Sequence, residues 1–269
     1  MTLASANVFP TSSAIEREPT QWSLQATWAD SEADVRAAQA LRFDVFAAEL
    51  GAQLPAAAVA SRLDADRFDP HCDHLLVWAV DPYGQQPSKL VGTYRVLPPA
   101  AARLLGGLYA EQEFDLSPLD FLRPRMVELG RACVHADWRS GGAILMLWSA
   151  LGRYMVRRQF DTMTGCASIG LADRGQFAAA VWHSLQKNHL AVPRWRVTPR
   201  TPLPLCALDP EAVPLSMRAM PPLIKGYLRG GACVLGAPAY DPCFHTADFP
   251  IMMRLADLTP RYRAQFLLP

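Results

Sequence analysis

From Ser31 to Gly51, apolar residues fall at Val35, Ala38, Leu41, Val45 and Phe46, the three-to-four spacing of one helix face. Ser31-Glu-Ala-Asp34 offers a capping box at the start, and Gly51 offers a stop. Arg42 lies one turn before Phe46 on the border of the apolar stripe, where a guanidinium needs a partner or a ligand. An Ala-rich link leads to Leu63-Asp-Ala-Asp-Arg-Phe-Asp69, an acidic loop closed by Pro70. His74–Val80 is a continuous apolar run and Leu90–Leu97 partly alternates. Asp81-Pro-Tyr-Gly84 between them is turn chemistry, which predicts an antiparallel hairpin. Residues 98–120 are irregular, with a short helix near Ala101–Leu105.

Met126–Val134 then predicts a strand, Arg139-Ser-Gly-Gly142 a tight turn, and Ala143–Arg158, apolar on nearly every face, a buried helix. Arg153, Arg157 and Arg158 near its end oppose the helix dipole favourably. Thr162–Ala167 reads as a strand leading to a helix capped by Asp173 with Gln176 three residues on. Eight prolines within residues 193–222 exclude regular helix there and predict an extended covering arm. Ile251–Leu255 reads as a strand, and Thr259-Pro260 opens a last helix. The order of elements is that of an α/β chain with a mixed sheet. It divides into a tail (1–23), a core (24–192), and a Pro-rich arm with the C-terminal part of the same domain (193–269).

Composition narrows the classes. The 269 residues are 51% hydrophobic, enough for a real core, and 26 Lys+Arg against 25 Asp+Glu leave a formal charge of +1, no footprint for nucleic acid. The longest apolar stretch, Ala143 to Leu151, is far short of the ~20 residues of a bilayer span. Residues 1–7 carry no signal-peptide pattern, so the expected location is the cytoplasm. Six scattered cysteines without a C-x-x-C pair point to reduced thiols.

Five constellations bear on chemistry. Arg139-Ser-Gly141-Gly142 delivers a strand to a helix N-terminus, a place for a phosphate as well as an ordinary turn. Glu128 and Arg131 interrupt an apolar strand; period-two alternation puts them on opposite faces, each as a structural ion pair or a functional group. Asp64, Asp66 and Asp69 are either a solvated loop or a grip on an amine or metal. His71-Cys72-Asp73-His74 is too tightly spaced for zinc, and Gly165-Cys-Ala-Ser168-Ile-Gly170 lacks the first glycine of a nucleophile elbow. Neither G-x-G-x-x-G nor a Walker loop occurs.

In order and spacing, Leu41-Arg-Phe-Asp-Val-Phe46, Asp66-x-x-Asp69, Val91-Gly-Thr-Tyr-Arg95-Val-Leu-Pro98, Glu128-Leu-Gly-Arg131 and Asp137-Trp-Arg-Ser-Gly-Gly142 resemble the ornithine-lipid N-acyltransferases. These belong to the GNAT superfamily and are distant relatives of the acyl-homoserine-lactone synthases. Gly165-Cys-Ala-Ser168, Pro222-Leu-Ile-Lys-Gly-Tyr227 and Asp241-x-x-Phe244 extend the resemblance over roughly residues 24–268. Gly51-Ala-Gln-Leu54 stands where the lactone synthases usually carry a tryptophan, and Ile144 ends the GNAT phosphate pattern that Arg139–Gly142 otherwise fits.

The resemblance implies a GNAT-like, mostly antiparallel mixed sheet flanked by helices. It implies a 3-hydroxyacyl thioester of acyl carrier protein as co-substrate and the α-amino group of L-ornithine as acceptor, with no bound cofactor and no metal. Glu128 and Arg131 become the expected catalytic pair, and Arg42, Phe46, Asp66, Asp69 and Arg95 the expected substrate-binding set. Cys133, Val134, Arg139, Gly141 and Gly142 are expected to hold the phosphopantetheine arm. The Pro-rich arm and C-terminal segment are candidates for an acyl tunnel or for peripheral contact with the inner membrane. The rival readings are an acyltransferase on another amine, homoserine-lactone synthesis included, and a non-catalytic module that binds acyl carriers or lipid.

Overall fold

A computed structural model describes residues 22–139, 142–205 and 220–266. Most of the expected tail, Gly141, and residues 206–219 of the arm lie outside the described residues. The strands are β1 (Ser23–Trp28), β2 (Asp73–Val80), β3 (Lys89–Leu97), β4 (Phe114–Asp115), β5 (Met126–Val134), β6 (Thr162–Gly170), β7 (Thr198–Pro199), β8 (Cys233–Val234), β9 (Ala239–Asp241) and β10 (Thr246–Arg254). The α-helices are α1 (Glu32–Phe43), α2 (Ala56–Ser61), α3 (Pro99–Leu104), α4 (Gly142–Arg158), α5 (Gln176–Asn188), α6 (Pro222–Gly230) and α7 (Pro260–Phe266).

The main sheet runs β1-β2-β3-β5-β6-β10-β8, with β9 also on β10. Its strands pair antiparallel except β5 and β6, which are parallel. The mixed, mostly antiparallel sheet is as expected, and so is the β2–β3 hairpin. Asp81 ties its turn by accepting the amides of Tyr83, Gln85 and Gln86 at 2.9 Å each.

Two expectations need correction. The first helix does start on Ser31, whose Oγ accepts the amide of Asp34 at 3.2 Å, but past Phe43 it widens into a π-helical turn, Asp44–Glu49. Helix α4 is not buried all round: Leu147, Leu151, Tyr154 and Met155 face the sheet, whereas Leu145 and Val156 are 42% and 51% exposed. The arm is extended where described. Leu203 donates to Pro238 at 3.1 Å, β7 pairs with β4, and Pro222 at its end opens α6.

Two local features position the site. β5 and β6 are in register only over Met126–Glu128 and Thr162–Thr164, and then part. Gly165 sits at the fork, where a Cβ would collide with the Leu129 carbonyl. Beyond it the β3–β5 register slips: Arg95 faces Gly130 and Thr93 faces Cys133, so one residue of β3 spans two of β5. The extra residue is Arg131, at φ +50°, a left-handed bulge.

Candidate active site

The bulge overturns the opposite-face expectation for Glu128 and Arg131. Both turn towards Tyr109, the one accepting its amide at 2.5 Å, the other with Nη2 3.4 Å from its hydroxyl. Arg131 lies between two rings, its guanidinium 4.8 Å from the centre of Tyr109 and 5.1 Å from that of Phe244. Phe46, on the π-helical turn, meets Phe244 edge to face at 6.0 Å.

The acidic loop folds onto three arginines from three elements. Arg42 of α1 is 1% exposed; its Nη2 reaches Asp69 Oδ2 at 2.8 Å and its Nε lies 3.0 Å from Asp64 Oδ2. Arg95 of β3 holds Asp66 at 2.7 Å and Asp69 at 3.2 Å. Arg131 of β5 holds Asp64 at 3.1 Å and Asp66 at 3.4 Å. Three carboxylates thus face three guanidiniums, so each burial cost is offset by a partner. Burial pulls the Asp69 pKa up, but the Arg42 hydrogen bond and the charges of Arg42 and Arg95 outweigh it and hold it at about 2. Asp69 and Arg42 are sealed in, while Asp66 and Arg131 keep 23% and 13% of their side chains exposed. Asp64, left out of the expected substrate set, is as much part of this network as Asp69.

Glu128, 5% exposed, accepts the amides of Tyr109 and Ala110 at 2.5 and 2.7 Å. Burial pushes its pKa up to about 7, against the pull of those amides and of Arg95. His74, from the tight His/Cys run, spends Nε2 on the Asp69 carbonyl at 3.0 Å.

Beyond the fork, Glu113, Cys166 and Asp248 bring their polar atoms within 4.8 Å of one another. Burial, then the neighbouring carboxylates, raise Glu113; burial also raises Asp248. The same burial keeps the Cys166 thiol far above its ordinary pKa, so it is no thiolate nucleophile. Sequence reasoning missed this group because its members come from three segments that no local spacing connects.

The fork itself offers donors. The His135 amide donates to Val91 of β3 at 2.9 Å. By alternation along the strand, the amides of Val134 and Ala132 point the other way, into the gap that β6 has left. Cys133, between them, is buried against Leu41 and Val45. Arg139, past the end of β5, is not free: Nη1 and Nη2 bind Glu49 at 2.5 and 2.7 Å, and Nε the Val134 carbonyl at 3.0 Å. Gly142 begins α4 at the same end.

The site is thus a mixed sheet forked at its parallel pair, with strand amides along the fork and a helix start beside it. Residues 41–149 match the family model described as an acetyltransferase (GNAT) domain. The chain is 36% identical to the L-ornithine N(alpha)-acyltransferase of Brucella abortus, covering 89% of this chain and 87% of that protein. To the protein of the same name from Rhodobacter capsulatus it is 37% identical, covering 86% and 89%. Among solved structures, it is similar to FeeM, an N-acyl amino acid synthase from uncultured soil microbes, at 12% identity and TM-score 0.49, covering 92% and 97%. The chain belongs to the L-ornithine N(alpha)-acyltransferase family.

Proposed function

We propose that this acyltransferase moves a 3-hydroxyacyl group from the phosphopantetheine thioester of acyl carrier protein to the α-amino group of L-ornithine, giving lyso-ornithine lipid. The observation that carries it is the fork between β5 and β6: one strand edge that β6 no longer pairs among the described residues, a charged network on one face and an apolar cavity on the other. Direct transfer needs those three environments together. The amine nitrogen attacks the thioester carbon, the C–N bond forms, and the developing oxyanion is met by the Ala132 and Val134 amides. The C–S bond then breaks and the pantetheine thiolate takes up the proton that the amine has lost. Asp66 and Arg131, the two partly exposed members of the network, suit an amino acid's ammonium and carboxylate.

Glu128 is the proton acceptor in this reading. Each of its oxygens keeps a lone pair beyond the amide it holds, and a pKa of about 7 suits a base working at neutral pH. The same two amides favour a second reading, in which Glu128 only fixes the Tyr109 turn against Arg131. Carrier phosphate is assigned to the start of α4 at Gly142, with Arg139 released from Glu49 to meet it. No described helix is long and apolar enough to cross a membrane, and peripheral contact through the exposed Leu104 and Phe121 is part of the proposal.

The test is mass spectrometry of the product from purified protein, 3-hydroxyacyl carrier protein and ornithine. Lyso-ornithine lipid is expected. An amide of a different amine would support the lactone-synthase-like alternative, and no amide at all a non-catalytic module.

A further inference from the structure

The cavity on the α4 face of the fork is apolar apart from a few atoms that do not belong in a plain hydrocarbon sleeve. With its mouth it holds about 740 Å³, walled by Leu129, Leu151, Met163, Ile251 and Phe266 among others. Into this lining project Tyr94 from β3, Tyr227 from α6 and Trp148 from α4. The two phenol oxygens are 2.5 Å apart. One hydroxyl hydrogen serves that bond; the other, whichever tyrosine donates, meets no second acceptor among the described residues. The Trp148 and Tyr227 rings lie 5.6 Å apart, and the buried Trp148 Nε1–H has no hydrogen-bond partner among the described residues. Two donors without acceptors in an apolar, buried place are destabilising unless a ligand answers them. Burial raises the pKa of both tyrosines, so they stay neutral donors.

The wall is also built to hold these groups in place. Gly226 lets the Trp148 ring lie against α6: a Cβ there would collide with its Cη2. Tyr94 stands on β3 at the slip in register opposite the Arg131 bulge, so its side chain leaves the sheet next to the fork, not at the cavity's far end.

We propose that Tyr94, Tyr227 and Trp148 form a subsite that reads an oxygen substituent on the acyl chain close to the thioester. A hydroxyl fits better than a keto group, because it accepts from a phenol or the indole and donates in turn to a phenol lone pair. The inference rests on the acyl-transfer reading above and adds the residues that select among donors.

The experiment is competition between a 3-hydroxyacyl and an unsubstituted acyl carrier protein of equal chain length, with ornithine, read as the ratio of the two kcat/KM values. The wild-type protein is expected to favour the hydroxylated donor. In Tyr227→Phe and Trp148→Phe that ratio should fall about ten-fold or more, because a site that satisfies a buried hydroxyl rejects the analogue lacking it. Melting temperature is followed in parallel, and Tyr94→Phe stands in if either variant fails to fold. A ratio unchanged in the folded variants would overturn the subsite while leaving acyl transfer intact. Wild-type protein that transfers neither acyl group would overturn the acyl-carrier reading, and the subsite with it.

Discussion

Glu128→Gln separates a base from a bracket. The glutamine keeps the side chain's shape but presents one carbonyl and one NH2 to two amide hydrogens, so one of the bonds to Tyr109 and Ala110 is lost to a donor–donor contact. A hydrogen bond to a charged group is worth about 1.5–3 kcal/mol, and that loss applies wherever Glu128 is ionised. A second effect runs the other way. The folded protein holds the Glu128 proton more tightly than the unfolded chain, with the pKa raised from 4.5 to about 7. At 1.36 kcal/mol per pK unit this corresponds to about 3 kcal/mol. The contribution is fully present below pH 4.5 and is lost as the pH rises through 7. The substituted amide cannot titrate, so the variant's stability relative to wild type should improve by about 3 kcal/mol between roughly pH 4 and pH 8. Urea melts across that range measure it directly. Single-turnover transfer measured on the same samples then assigns the chemistry. A base makes the rate fall about 10²–10⁴-fold at neutral pH and recover as ornithine deprotonates unaided, whereas a bracket gives an equal loss at every pH. A stability difference that stays flat with pH would refute the raised pKa, and an undiminished rate in a normally melting variant would end both roles.

Other parts of the site give sharper yes-or-no outcomes. Asp69→Asn strips the buried partner from Arg42 and Arg95, so a loss of about 3–5 kcal/mol in denaturant melts is expected, and less than about 1 would show that the pair is not sealed. With its pKa held near 2, the wild-type Asp69 contribution is present above about pH 4 and disappears as pH falls through 2, so acid unfolding should be shallower in the variant. Arg139→Ala breaks an exposed pair with Glu49 and should change stability by under about 1 kcal/mol, while the KM for acyl carrier protein rises about ten-fold or more and the ornithine KM holds. An unchanged carrier KM takes Arg139 out of the docking site. Gly165→Ala drives a methyl into the Leu129 carbonyl, backbone that cannot swing aside, so about 1–3 kcal/mol of stability should go together with activity. Wild-type melting and turnover in that variant would mean that the fork is wider than described.

What the sequence made legible follows its periodicities. The hairpin and β5 formed where their apolar runs put them, while the first helix and α4 formed in place but with a π-helical end and an exposed face that their apolar residues did not announce. Strand β1 has the same kind of signal in Leu24, Ala26 and Trp28, but as an edge strand with half-buried positions it is short of the contrast that marks a core strand. Alternation misplaces Glu128 and Arg131 for a definite reason. It assumes an unbroken strand, and the left-handed residue that breaks it is Arg131 itself, not a glycine that would have advertised the turn. The meeting of Asp64, Asp66 and Asp69 with Arg42, Arg95 and Arg131 could be suspected from charges stranded in apolar runs. Which carboxylate would be sealed and which left open was set by tertiary packing alone.

The division of labour at the fork rests on the ordinary pleat of β3. Tyr94 and Arg95 are neighbours in sequence, yet one lines the apolar cavity beneath α4 and the other joins the charged network under α1. Successive side chains on a strand leave by opposite faces, so two adjacent residues serve two environments that must not mix. An ammonium finds no counter-charge in the cavity, and a hydrocarbon chain would strand the buried ion pairs of the network without solvent or partner. The sheet keeps the two environments apart, and they border each other where β5 parts from β6. The arrangement therefore depends on register more than on any single side chain. A one-residue slip of β3 would put a guanidinium into the apolar cavity and a phenol among the aspartates, so contacts that fix the register, such as the Thr93 hydroxyl bound to the Leu75 carbonyl at 2.9 Å, hold the two environments apart.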